Sequence, residues 1–252
     1  MASSNPTAVL ITSDGIELAA RSWSAAGEPR ASIVLVHGLA ATKDNPELVA
    51  VATALQERGF DVLAYDARGH GASGGICTLG DLEQHDVAAA VAHAQLSGLP
   101  VVVVGASMGG IAVLRHAADD PTLAGVVTVS TPADWRLHRS PGTLLLTGMI
   151  RTRLGRAFAA RLFRVRLSPH WTNPESPRTL AGRMASPLAV VHGERDRFIP
   201  AREADGLFSA GGGERRLFLV PKMGHAFHPA AVPVIGEAVD WALTAAAVPS
   251  PA

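Results

Sequence analysis

One cysteine, Cys77, is all the thiol chemistry available to the 252-residue sequence, which excludes an intramolecular disulfide framework and a cysteine-based zinc site. An excess of charge is missing too. The 22 Lys and Arg balance 22 Asp and Glu, so no global field draws the chain to nucleic acid or to a membrane surface. No run reaches the roughly 18 apolar residues of a spanning helix. The N-terminal MASSNPTAVL has no basic stretch followed by a long apolar core. Repeats and low-complexity tracts are absent apart from Gly211-Gly212-Gly213 and the tail VPSPA. These absences lead us to expect one soluble cytoplasmic domain over residues 1–252, without nucleic-acid partner or stable membrane insertion. At 48% hydrophobic composition a chain of this length can bury one large core.

What is present is an alternation of two periodicities. Residues 8–23 alternate apolar and polar around Asp14-Gly15, a dipeptide suited to a tight turn, and predict an antiparallel hairpin. Short apolar runs follow: SIVLVHG at 32–38, DVLAYD at 61–66, PVVVVGAS at 100–107, AGVVTVST at 124–131, PLAVVHG at 187–193 and RRLFLVP at 215–221. Lacking alternation, they read as strands covered on both faces. Between them PELVAVATALQERG, DLEQHDVAAAVAHAQLSG and MGGIAVLRHAADD read as helices, and VIGEAVDWALTAAA closes the chain as another. The pattern predicts an α/β fold with a mostly parallel central sheet, helices on both faces and an antiparallel N-terminal edge.

Residues 132–183 break the rhythm. They contain no strand-like run and carry ten Arg, no Lys and two acids, a net charge of +8 against −8 for the rest of the chain. We expect a small inserted helical cap over the strand ends. Within it, residues 154–165 set Leu154, Phe158, Leu162 and Val165 on one helical face among Arg156, Arg161 and Arg164. Such a helix packs on the core with solvated arginines, or its arginines meet an anionic acyl substrate or acidic lipid. Trp135, Phe158, Phe163 and Trp171 either line an acyl pocket or form the cap's own core.

The chemistry begins at Gly105-Ala106-Ser107-Met108-Gly109, placed between a strand and a helix. A serine on so tight a strand-to-helix turn needs small neighbours, and its hydroxyl projects at the carboxyl edge of the sheet. The following helix turns its free N–H groups toward charge developing on a bound carbonyl oxygen.

Four separated motifs then stand in a familiar order: Leu35-Val36-His37-Gly38-Leu39; Asp66-Ala67-Arg68-Gly69-His70-Gly71-Ala72-Ser73; the Gly105–Gly109 elbow; and His192-Gly193-Glu194-Arg195-Asp196 followed by Gly224-His225. On these residues the chain resembles the α/β-hydrolase fold family over nearly its whole length except the cap. The D-x-RGHG-x-S form is most similar to the subgroup of monoacylglycerol lipases, small carboxylesterases and serine aminopeptidase-like hydrolases. The resemblance implies Ser107 as nucleophile, His225 as general base and Asp196 as the acid that orients it. It also implies an oxyanion hole from the backbone N–H groups of Leu39 and Met108. His228 is a rival base, and Glu194 and Asp134 are rival acids. His37, His192 and the Arg68–Gly71 turn are expected to be scaffold, and residue spacing matches no metal motif.

The expected reaction is hydrolysis of a carboxylic ester of a small-molecule acyl substrate through an acyl-enzyme, with no dissociable cofactor. A thioesterase or amidase would use the same residues. A cofactor-free peroxidase or a non-catalytic binding protein on the same fold are the further alternatives. Serine at position 107 disfavours dehalogenase and epoxide-hydrolase chemistry, which uses a carboxylate nucleophile.

Overall fold

The hairpin and all six apolar runs become strands of one sheet in the computed structural model, which describes residues 7–135 and 141–247. They are β1 (Thr7–Ile11), β2 (Glu17–Trp23), β3 (Ser32–Val36), β4 (Asp61–Tyr65), β5 (Val101–Ala106), β6 (Gly125–Val129), β7 (Leu188–Gly193) and β8 (Arg215–Val220). The spatial order is β1-β2-β4-β3-β5-β6-β7-β8. β2 runs antiparallel to both β1 and β4, and the pairs from β4 through β8 are parallel. Every residue of β3, β5, β6 and β7 is buried, as strands with helices on both faces require.

Alternation along these strands divides the core in two. Val102, Val104, Val127 and Val129 face α1 (Pro46–Glu57) and α8 (Val232–Ala246) through Leu48, Val51, Ile235 and Val239. Val101, Val103 and Val126 face the opposite way, onto α2 (Gln84–Gln95) and α3 (Met108–Ala117) through Val87, Val91, Val113 and Leu114. The register sets Val36 beside Gly105 and Ala106 beside Val129, so the loops that leave β3, β5 and β6 emerge together at one edge.

Four helices complete the chain: α4 (Pro141–Arg151), α5 (Arg153–Leu162), α6 (Pro177–Arg183) and α7 (Arg202–Ala210). Only α5 was anticipated. α6, with Pro177, Leu180 and Ala181 buried, packs against α3 and α7 and so adds Leu180 and Ala181 to the core on that side. α5 begins where Thr152 accepts a hydrogen bond from the Gly155 N–H at 2.9 Å, a favourable N-terminal cap. Its predicted packing face divides: Val165 is buried, whereas Leu154, Phe158 and Leu162 are exposed, and the α5 residue turned inward is Ala159. The expectation that this apolar face packs on the core is thereby corrected. Among the described residues no helix is long and apolar enough to cross a membrane.

Candidate active site

Ser107 sits between the end of β5 and the start of α3 with φ 52° and ψ −114°, a conformation sparsely populated by non-glycine residues. Its N–H donates to the Val129 carbonyl at 2.9 Å, so the sheet enforces the turn. The flanking glycines are steric requirements. A Cβ on Gly105 would lie 2.6 Å from the Gly109 carbonyl carbon, and one on Gly109 would lie 2.6 Å from the Val36 oxygen. Strand, elbow and helix therefore close on each other without room for a methyl group. The first turn of α3 then points its amides at the space above Ser107.

His225, in the loop after β8, places Nδ1 2.7 Å from Oδ2 of Asp196, which follows β7. Oδ1 of Asp196 accepts from the N–H groups of Phe198 at 2.8 Å and Ile199 at 2.9 Å. Burial alone would raise the Asp196 pKa, but the His225 contact and the two amides outweigh it and hold the carboxyl below its ordinary range. An ionised Asp196 accepts only, so Nδ1 of His225 carries the hydrogen and Nε2 keeps its lone pair. His192, buried and kept neutral by that burial, donates from Nε2 to the Ile199 carbonyl at 2.9 Å. It thereby fastens the loop whose amides hold Asp196.

On the other side, Nδ1 of His37 donates to the Gly38 carbonyl at 2.7 Å, and its Nε2 accepts the Ala67 N–H at 2.9 Å. The Gly38–Leu39 peptide is trans, as are all the others described. With its C=O drawn toward His37, its N–H on Leu39 points the opposite way. His70 accepts the Ala40 N–H at 3.3 Å and donates to the Arg68 carbonyl at 3.1 Å. Asp66 accepts the Lys43 N–H at 2.8 Å and the Ala72 N–H at 2.9 Å. Arg68 reaches Asp86 and Asp14, both at 2.8 Å. The Asp66–Ser73 motif thus ties the loop bearing Leu39 to the end of β4.

Ser107 and His225 open into a 310 Å³ cavity. Leu39, Leu48 and Phe227 give it apolar wall; Asn45, Glu47 and His228 give it polar wall. The Asn45–Leu48 side, contributed by the start of α1, was not foreseen: Pro46 marks a helix start but not which way that start faces. Also unforeseen were the two amides on Asp196, whose only sequence signal is an Asp with room for a local side-chain-to-backbone turn. Trp135, Phe158, Phe163 and Trp171 do not line this cavity. Instead Trp135 meets Trp171 edge-on at 4.8 Å and Phe158 meets Phe163 at 6.2 Å. Among the described residues, no arginine of 141–183 lines it either. The rival residues are engaged otherwise: Asp134 pairs with Arg178 at 3.2 Å, Glu194 is exposed, and His228, though it lines the cavity, uses Nδ1 to accept the Ala230 N–H at 3.2 Å. Among the described residues no group of three or more His, Cys, Asp and Glu is arranged to hold a metal ion.

The histidines around this site make the fold acid-sensitive. Burial lowers the pKa of His37 and His192, and with the neighbouring His37 lowers that of His70 from 6.5 to about 4. Unfolded, each would take up a proton near pH 6.5; folded, each resists. Their contribution is therefore complete above pH 6.5 and is lost as pH falls below it; for His70 the loss runs from 6.5 to about 4 and amounts to about 3 kcal/mol. Wild type should lose its advantage in urea unfolding midpoint over His70→Asn across that window. A midpoint difference between the two proteins that stays constant between pH 6.5 and 4 would contradict this account.

Residues 27–178 match the model of a family described as serine aminopeptidase, S33. A non-heme haloperoxidase from Rhodococcus erythropolis is 37% identical over 108 residues, 42% of this chain and 36% of that protein. The alignment thus spans only about a third of that relative's length. Among solved structures, an α/β hydrolase from a Penicillium species superposes with a TM-score of 0.74 at 18% identity, covering 98% of this chain and 100% of the other. An esterase from Pyrococcus furiosus superposes with a TM-score of 0.71 at 19% identity, covering 94% and 92%. At such identities the likeness is one of fold.

Proposed function

The chain belongs to the S33 serine aminopeptidase family of α/β hydrolases, and on that premise we propose that it cleaves carboxylic esters of small molecules through an acyl-enzyme on Ser107. The observation that carries this reading is the Asp196–His225 pair, 2.7 Å apart, whose histidine shares one cavity with Ser107. Nε2 of His225 takes the hydroxyl proton as Ser107 Oγ bonds to the ester carbonyl carbon, and Asp196 stabilises the resulting imidazolium. The N–H groups of Leu39 and Met108 receive the oxyanion. Collapse of the tetrahedral adduct breaks the bond to the alcohol, which leaves with the proton held by His225. Water then attacks the acyl-serine, gives its proton to His225, and releases the carboxylic acid with Ser107 restored. The chemistry needs no dissociable cofactor. In this reading residues 132–183 are a cap inserted into a single domain. Amides and thioesters call on the same groups, so a screen of chromogenic ester, thioester and aminoacyl substrates tests the preference. Ester turnover that exceeds the other two, and is absent from Ser107→Ala, is the expected result. A dominant thioester or aminoacyl activity would replace the ester assignment.

The likeness to a haloperoxidase favours one second reading. Hydrogen peroxide could replace water in attack on the acyl-serine, yielding a peracid; the peracid would oxidise bromide to hypobromite and return as carboxylate. Bromination of a phenolic dye in acetate, peroxide and bromide tests it. Equal rates with wild type and Ser107→Ala would remove it.

A further inference from the structure

We infer that the outer face of α5 is a docking surface for an anionic lipid bilayer. Leu154, Phe158 and Leu162 succeed one another at four-residue spacing along α5 and are 85%, 52% and 60% exposed. Phe163 extends the stripe by its edge contact with Phe158. Helix geometry places these side chains on one face, and that face lies largely open to solvent among the described residues. It is not a loosely held segment. Directly after α5, Val165 is buried and Leu167 bridges Cys77. The Arg166 N–H donates to Gly69 at 2.8 Å and the Cys77 N–H donates to Arg166 at 2.7 Å. The helix is held from below with its apolar side outward.

Charge selects the occupant. Arg161 lies one turn beyond Phe158, and Arg151, Arg153 and Arg164 flank the stripe, all exposed. None of the four forms an ion pair among the described residues. The sequence has no Asp or Glu between Trp135 and Pro174. Leucine and phenylalanine side chains ringed by arginines suit the boundary of a bilayer, where apolar tips enter the acyl region and guanidiniums meet phosphates. A second copy of the same face would oppose arginine to arginine across a two-fold axis. None of these residues lines the cavity at Ser107, so the surface is independent of the hydrolytic reading.

Co-sedimentation with vesicles of phosphatidylcholine alone, and of phosphatidylcholine with phosphatidylglycerol, tests the assignment. The protein should bind the second and not the first, and raised salt should weaken binding. Leu154→Ser with Phe158→Ser and Leu162→Ser should cut the partition coefficient about tenfold or more, as should a separate Arg151→Gln, Arg153→Gln, Arg161→Gln and Arg164→Gln variant. Both variants should retain wild-type circular dichroism and wild-type turnover of a soluble short-chain ester, which shows that they are folded. Absence of binding to the anionic vesicles would overturn the inference, as would equal binding to both vesicles or binding that survives both variants. Analytical ultracentrifugation showing self-association that the serine variant abolishes, without vesicle binding, would assign the face to a second copy instead.

Discussion

Ser107→Ala is expected to lower turnover of a chromogenic ester on the order of 10⁴-fold or more, with the thermal midpoint close to wild type. The change deletes one oxygen. It leaves the Ser107 N–H bond to Val129, the φ of 52° and the glycine contacts that shape the elbow, and alanine has the same Cβ to accommodate there as serine. Loss of rate without loss of stability is what separates an attacking hydroxyl from a residue that merely begins α3. A fluorophosphonate probe should label wild type at this position and leave the alanine variant unlabelled. A folded alanine variant with near-wild-type activity would remove Ser107 from the chemistry, and with it the acyl-enzyme.

Asp196→Asn should be nearly as damaging, on the order of 10³- to 10⁴-fold in kcat, for a reason visible in its contacts. Oδ1 already accepts the Phe198 and Ile199 amides, and only the oxygen of an asparagine can do the same. The asparagine NH₂ must then face Nδ1 of His225. That nitrogen becomes an acceptor, the hydrogen moves to Nε2, and the imidazole presents no lone pair to Ser107. His225→Ala should match it, and combining either change with Ser107→Ala should add little, because members of a nucleophilic unit fail together. Asp134→Asn disturbs an exposed ion pair with Arg178 and should cost at most a few-fold. His228→Ala should leave most activity, because the Asp196 contact belongs to His225. Steady-state kinetics on the four single variants decides the matter; an inactive Asp134→Asn beside an active Asp196→Asn would relocate the acid to the end of β6.

The alternation of apolar strands and amphipathic helices, with the hairpin at its head, was enough to set out all eight strands and the helices that cover most of the sheet. Burial on both faces leaves continuous apolar runs such as Val101–Val104, and those runs are visible in one dimension. Ser107 was legible for the same local reason: an elbow requires small residues at fixed offsets, and Gly105 and Gly109 supply them. α6 and α7 were not legible, since α6 is only seven residues long and α7 shows only Ala204, Gly206 and Leu207 inward. Pairings between distant segments were also beyond the sequence. Glu194, Asp196 and Asp134 are chemically similar carboxylates, and only the parallel placement of β7 beside β8 brings Asp196 to His225 and leaves Asp134 with Arg178. α5 shows the limit most clearly. Its periodicity established that Leu154, Phe158 and Leu162 share a face, because that depends on helix geometry alone. Whether the face looks in or out depends on which surface the rest of the chain has already covered, and the tertiary structure turned Ala159 to the core and left the apolar stripe to solvent.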